Sequence, residues 1–444
     1  MSDLKAYILC RFAEDSGVYS SWMDQATFPS AIVEDYLPNW RIPDDAGVLI
    51  THMHYRWEEL HALRKWHTQN RIPILVLADG ILEYRNTWEH PGLVDGSIFQ
   101  PLFGHKLACI GRGQARTVES WGNVGRCEVV GLPRLDSIDR DRIPPTKSEG
   151  PLRILVATAT TPAFDQNQRQ TVVESLQQLK TWALANQSVN GRPIELIWRL
   201  SDGLESQIGV GDDVDLESRT PLGEVIESVD ATICTPSTLY LESVIRRRPT
   251  ALLDFHGSPQ YVTSAWTISA AQHLDFVIPE LAAPPQAKML FQESVLLDQL
   301  ECRTPAAPRM LALAEQMMAA GQQAKLDHAT IELPDRILTD LQQGFSIVPK
   351  EFDLRTLYAN NESFDHQDQH RLQIELDAAI KRLGQLPPEL VEKSQYIGKL
   401  NRTLDRSRVR VEDMHNRVVA IRKRFGVEPA KPEMDGRDIS DDAN

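Results

Sequence analysis

The chain lacks any long hydrophobic run. Nothing in it approaches the ~20 consecutive apolar residues that a membrane-spanning helix requires. Its first residues, MSDLKAYILCRFAEDS, have neither the apolar core nor the cleavage site of a secretory signal. Both readings are therefore set aside, and a cytoplasmic location is expected. Cysteine is scarce: Cys10, Cys109, Cys127, Cys234 and Cys302 are five in 444 residues, with no Cys-x-x-Cys pair. That argues against a disulfide framework or a zinc clip, and for small buried hydrophobes in a reducing compartment. Positive charge is in deficit as well. A formal net charge of −15 speaks against nonspecific nucleic-acid binding. A glycine fingerprint is also missing at the one place that suggests it. Gly111-Arg112-Gly113-Gln114 opens a helix but does not complete a G-x-G-x-x-G.

What is present is ordinary in bulk and ordered in detail. Hydrophobic residues make up 42% and charged residues 25%, as in a soluble globular chain, and the length suits two or three domains. Strand-like and helix-like patterns alternate over the first 140 or so residues. Residues 6–10, 47–51, 72–78, 105–110 and 127–130 read as strands, and 57–69 and 114–123 as helices. Residues 139–151, DRDRIPPTKSEGP, read as a linker: charged, with a Pro-Pro pair and no apolar periodicity. A second alternating unit follows. It has strands at 152–157, 194–200, 231–234, 250–255 and 276–279, and helices at 166–185 and 222–229. Helices are expected near 285–300, 308–320 and 333–345. The fold class is therefore α/β, two doubly wound units joined by one linker.

The last third changes character. Leu376, Leu383, Leu390, Ile397, Leu404, Val411, Val418 and Phe425 recur at seven-residue spacing, with a second seam four residues behind them. Pro387-Pro388 divides this into two coiled segments within 365–426. The second carries nine Lys or Arg between Lys399 and Arg424. It is either a solvated coiled-coil flank, expected to join copies of the chain, or a basic helix suited to peripheral contact with anionic lipid. Residues 427–444, rich in Pro and Asp, are expected to be disordered.

In open α/β sheets ligands bind beyond the carboxyl ends of strands, and that rule selects the candidates. The segment from Asp230 to His256 reads strand, turn, helix, strand. Ser237 or Thr238 is placed to cap the helix, Glu242 lies one turn on, and Arg246-Arg247-Arg248 end it. Hydroxyls and free N–H groups at a helix start suit a phosphate, and a carboxylate one turn on suits a ribose or sugar hydroxyl. An ordinary capped helix explains the same residues. Thr158, Thr160 and Thr161 follow the strand at 152–157, Arg199 ends the strand at 194–200, and Asp254 and His256 lie at the end of the strand at 250–255. In the first unit, strand 72–78 ends in Asp79-Gly80 with Glu83, Tyr84 and Arg85 beyond it. Asp79 or Glu83 could serve as a general base there, or Asp79-Gly80 could be a turn. His52 and His54 end the strand at 47–51. They lack a third ligand nearby, so a proton-handling or substrate contact from His54 is expected rather than a metal site.

The segment Asp230-Ala231-Thr232-Ile233-Cys234, Ser237-Thr238, Glu242-Ser243, Arg248-Pro249-Thr250-Ala251 resembles the donor-binding half of GT-B glycosyltransferases and their relatives. Those relatives include UDP-sugar 2-epimerases, CDP-polyol phosphotransferases and capsule polysaccharide transferases. A second stretch, Cys127 to Asp136, resembles the "vtGxPRxD" segment of the same superfamily through Gly131, Pro133, Arg134 and Asp136. The residue before the proline of the first pattern, often small, is Arg248, and a His-Gly of the phosphotransferases is replaced by Asp79-Gly80.

The resemblance implies two Rossmann-like domains facing a cleft. Residues 1–138 would form the acceptor domain, 139–151 the linker and 152–304 the nucleotide-sugar domain, while 305–350 would be helices packing back on the core. It implies transfer of a sugar from a nucleotide-sugar donor to a surface polysaccharide or lipid-linked glycoconjugate, metal-independent and without a further cofactor. Thr160, Arg199, Ser237, Thr238 and Glu242 would hold the donor; Asp79, Glu83 or His54 would supply the base. A UDP-sugar 2-epimerase, a CDP-polyol phosphotransferase or a non-catalytic coiled-coil scaffold fits the same frame.

Overall fold

The computed structural model describes residues 4–10, 16–34, 36, 40–52, 57–69, 71–90, 98–140, 150–210 and 220–339. The heptad segments, the acidic tail and His54 lie outside the described residues. The first half runs β1 (Lys5–Leu9), α1 (Ser16–Met23), β2 (Ser30–Val33), β3 (Ala46–Thr51), α2 (Trp57–Gln69), β4 (Ile74–Leu77), β5 (Lys106–Cys109), α3 (Arg112–Ser120) and β6 (Cys127–Val129). Its strands form one sheet in the order β2-β1-β3-β4-β5-β6, every neighbouring pair parallel. Strands β3, β4 and β5 are buried along their whole length, and they carry near-continuous apolar runs because helices cover both faces.

The second half runs β7 (Leu152–Ala157), α4 (Gln166–Ala185), β8 (Ser188–Val189), β9 (Arg192–Arg199), α5 (Leu204–Ile208), α6 (Leu222–Ser228), β10 (Ala231–Cys234), α7 (Leu239–Ile245), β11 (Thr250–Leu253), β12 (Trp266–Ile268), α8 (Leu274–Ala282), α9 (Gln286–Gln299) and α10 (Ala306–Leu326). The sheet order is β12-β11-β10-β7-β9-β8, parallel except for the β8–β9 pair. Helix α4 begins where Asp165 accepts the Gln168 N–H at 2.8 Å, an N-cap that satisfies one of the first-turn donors. Two doubly wound sheets of this kind form the expected pair of Rossmann-like domains. Among the described residues no helix is long and apolar enough to cross a membrane.

Three expectations fail locally. Residues 276–279 are not a strand; they lie inside α8, and the last strand is the three-residue β12. Of the helix expected at 333–345, residues 333–339 are non-helical and the remainder lies outside the described residues. Neither Ser237 nor Thr238 caps α7 with its side chain: Thr238 occupies the cap position but makes no cap hydrogen bond.

Each sheet is covered on both faces. Leu75, Ile50 and Ile8 pack with Trp22 of α1 and with Met310, Leu313 and Met317 of α10 on one face of the first sheet. Leu49, Ile74 and Leu107 pack with Leu63, Trp66 and Val118 on the other. Helix α10, though it follows every strand of the second sheet in sequence, is thus part of the first half's core. A further cluster joins the halves, with Ile110, Leu132 and Leu135 against Leu155, Tyr240 and Leu300.

Candidate active-site cleft

In the second sheet the strand order reverses between β7 and β10. The crevice beyond their carboxyl ends is where such sheets bind ligands. Two loops start there, and side-chain hydroxyls fix both. Thr158 Oγ1 accepts the Ser201 N–H at 2.9 Å, and Thr235 Oγ1 accepts the Ala159 N–H at 2.8 Å. With Thr158 engaged, Thr160 and Thr161 are left exposed along the wall of a cleft of about 880 Å3. Ser237 lines it too, and its Oγ is buried without a hydrogen bond. Cys234, at the end of β10, is no nucleophile, because complete burial pushes its thiol far above the ordinary range.

The opposite wall follows β4. Gly80 approaches α7 so closely that a side chain there would overlap Thr238 Oγ1, and that hydroxyl accepts the Ile81 N–H at 3.2 Å. Thr238 therefore joins the halves instead of facing the cleft unengaged. Asp79 is exposed at the mouth, and its carbonyl accepts an Arg134 N–H at 2.8 Å. The same guanidinium lies 3.6 Å from Glu242 Oε1, so Arg134 spans from the Asp79 turn to α7.

Glu83 is committed elsewhere. Its Oε1 meets Arg85 Nε at 2.6 Å and its Oε2 accepts the Asn86 N–H at 2.7 Å. Arg85, buried, continues across to the carbonyl of Pro162 at 3.3 Å and to the His256 ring at 3.2 Å. His90 packs at a tilt against Phe164 with centroids 4.9 Å apart, and Trp88 donates to Tyr261 Oη at 2.5 Å. The stretch from Glu83 to His90 is thus a strap that pins the halves together along one side of the cleft.

The remaining candidates divide. Arg199 ends β9 as expected, but its guanidinium donates to the Thr220 carbonyl at 2.7 Å, and it is not among the residues lining the cleft. Arg134 and Arg85 are the arginines that do line it among the described residues. Asp254 is buried and accepts the His256 N–H at 3.1 Å and an N–H of Gln260. His52 is buried with Nδ1 2.7 Å from Tyr19 Oη.

The Gly-x-Pro-Arg-x-Asp stretch shows why its residues go together. Gly131 sits at φ 100°, where an added Cβ would lie 2.5 Å from the Glu301 carbonyl. Pro133 starts a 3-10 turn that aims Arg134 at the cleft. Asp136 accepts the N–H groups of Ala306 and Ala307, both at 2.8 Å, and so caps α10 from outside the helix. Sequence reasoning singled out Arg134 as a pattern residue without giving it a task. Asn86, His90 and Phe164 carry no sequence signal that would have placed them here.

No family model matches the chain, and no curated protein matches it. Solved structures share its course at low identity. The S. aureus MnaA–UDP co-structure is 10% identical, covering 75% of this chain and 99% of its own, with a TM-score of 0.48. The wall teichoic acid polymerase TagF is 10% identical over 74% of this chain and 91% of its own, at 0.46. The UDP-GlcNAc 2-epimerase of Methanocaldococcus jannaschii, in complex with UDP-GlcNAc and UDP, is 9% identical over 70% and 99%, at 0.45. The likeness is one of fold alone.

Proposed function

We propose that the cleft binds a nucleotide-sugar and that the chain transfers the sugar to a hydroxyl of a surface glycan or lipid-linked acceptor. One observation carries the reading. At the reversal point of the second sheet, an unsatisfied buried hydroxyl (Ser237), two exposed threonines, the Glu242 carboxylate and the exposed Asp79 line one cleft of about 880 Å3. That volume suits a ligand of nucleotide-sugar size. A buried hydroxyl without a partner costs about 1–3 kcal/mol, and a donor phosphate or hydroxyl would satisfy it.

Each residue then has a task. Thr160, Thr161 and Ser237 receive the diphosphate, and Glu242 accepts from ribose or sugar hydroxyls. Arg134 takes the place first assigned to Arg199, answering the charge that develops on the leaving nucleotide. Asp79 removes the proton from the acceptor hydroxyl as its oxygen attacks the anomeric carbon and the bond to the nucleoside diphosphate breaks. Glu83, held by Arg85 and Asn86, keeps the strap in place and is not the base.

Thermal unfolding of the full chain with UDP, GDP, CDP, CMP and dTDP, with and without sugars, tests the donor site. A nucleotide at ~100 times its dissociation constant adds about 2.7 kcal/mol. One nucleotide should shift the wild type, and Glu242→Ala should abolish the shift. Silence toward all five would favour a non-catalytic scaffold. Asp79→Asn should keep the nucleotide shift and lower the transfer rate by about 10²–10⁴-fold. Undiminished transfer in that variant would remove Asp79 as the base.

A further inference from the structure

Behind α7, on the side away from the cleft, the two covalent crossings between the halves come together. The first leaves the first half through Ile138–Arg140. The second returns from α9 through Cys302 and Arg303 into α10. Between them and the end of α7 lies a cavity of about 420 Å3. It adjoins a smaller hollow of about 180 Å3 that shares Ile138, Arg140, Ile245, Cys302 and Arg303 with it.

The cavity has an apolar floor and a rim of arginines and carboxylates. Ile138, Val244, Ile245 and Leu296 form the floor. Cys302 lines the cavity too, and burial pushes its thiol up to about 11. Three arginines from three separate segments line the rim, Arg140, Arg247 and Arg303, against the carboxylates of Glu293 and Asp139. Arg303 is engaged with buried Glu301 at 2.9 Å. Arg140 donates to the Cys302 carbonyl at 2.8 Å, and Arg247 Nε lies 3.8 Å from Glu293 on the open side. A guanidinium carries five donors in a planar fork, so these contacts leave Arg140 and Arg247 with N–H groups for a ligand.

Arg247 is held there against local preference. The Arg247 N–H bonds to the Val244 carbonyl at 2.8 Å and the Arg248 N–H to the Ser243 carbonyl at 3.2 Å, which closes α7 in a Schellman motif. That motif puts Arg247 in the left-handed region, at φ 57°, where glycine is the usual residue. The other non-glycine residues at positive φ among the described residues are Asn190, Asp202 and His328, types that tolerate it well. An arginine in a glycine position is a strained choice, of the kind found where the side chain is needed.

We propose that this cavity is a second ligand site, distinct from the cleft, for a soluble organic phosphate. The arginine rim takes the phosphate and the floor takes its apolar body. A ligand seated here touches both crossings and the helix that carries Glu242.

Calorimetric titration of the full chain with phenyl phosphate and with inorganic phosphate, at constant ionic strength, tests this. Phenyl phosphate should bind more tightly than inorganic phosphate, because only it uses the floor. Arg247→Gly should weaken phenyl phosphate by about tenfold or more, the scale of a charge-assisted hydrogen bond. Arg134→Gln, in the cleft, should leave it unchanged. The unliganded Arg247→Gly protein should melt at or above the wild-type temperature, because glycine relieves the backbone, so lost binding would not reflect lost folding. Absence of phenyl phosphate binding overturns the proposal. So does binding that Arg134→Gln weakens and Arg247→Gly does not, which would put the phosphate in the cleft.

Discussion

Lys106→Met should destabilise the first half by about 3–5 kcal/mol, because it strands a buried carboxylate. Lys106 and Glu128 are both fully buried, with Nζ 2.9 Å from Oε1. Their remaining valences are filled by backbone. Lys106 Nζ donates to the carbonyls of Gly125 at 2.8 Å, Pro334 at 2.6 Å and Asp335 at 3.1 Å. Glu128 accepts the N–H groups of Ile337 at 2.7 Å and Leu338 at 3.2 Å. The pair therefore clasps residues 334–338 to the sheet at its amino-terminal edge, away from the cleft. Glu128→Gln alone should also destabilise, since the lysine charge would lose its counterion. The double variant Lys106→Met/Glu128→Gln should be less damaged than the sum of the two, because no charge is left unanswered. Denaturation of the four proteins, with limited proteolysis at residues 331–339, measures this. Strict additivity would show that the two charges do not act as a pair.

Acid should weaken the same half through His105. Burial, reinforced by the neighbouring charges of His67 and Arg126, lowers its imidazole to about 3. The geometry agrees: His105 Nδ1 accepts the Ile74 N–H at 3.0 Å, which a protonated ring could not do, and the ring packs at a tilt against His67, centroids 4.8 Å apart. An unfolded histidine titrates near ~6.5. The folded value is the lower one, so the unfolded chain takes up the proton first as pH falls. The stability His105 contributes is intact above about pH 6.5 and is lost as the pH falls toward 3. At pH 4 the loss is on the order of a few kcal/mol. His67, lowered mainly by its own burial, adds in the same direction. Melting curves between pH 7 and 4 should therefore slope less steeply for His105→Asn, which keeps an acceptor for Ile74 but does not titrate. Parallel curves for the two proteins would remove His105 as the cause.

The parts of the fold that were readable in the sequence are those with punctuation at both ends. Residues 166–185 follow a capping aspartate and persist for many turns, and 231–234 lie between Asp230 and the Thr235-Pro236 turn; both match the structure at their ends. Short apolar runs carry no such information. Residues 276–279 are as apolar as a strand, but they belong to α8, where burial of Val277 and Ile278 against the sheet outweighs the proline. Strand β12 is three residues between Ala265 and Ser269, too short for any period to show. The candidate site divides the same way. Strand ends are legible, so Asp79, Thr160, Ser237 and Glu242 could be picked out, and all four line the cleft. The direction of a long side chain is not legible. Arg199 turns to a backbone carbonyl, and Glu83 closes on an arginine two residues away.

Helix α10 gives Ala306, Met310, Leu313, Ala314 and Met317 to the face of the first sheet that holds Ile8, Ile50 and Leu75. Asp136, at the end of the first half, waits for that helix too, since the N–H groups it accepts are those of Ala306 and Ala307. A ribosome making this chain releases the first six strands early, with one of their two faces covered by α1 but still without α10. The part that α10 covers stays open until the strands of the second sheet and the helices after them have been translated. The half that is made first is finished last, and through that interval it depends on chaperones or on its own solubility rather than on its native packing.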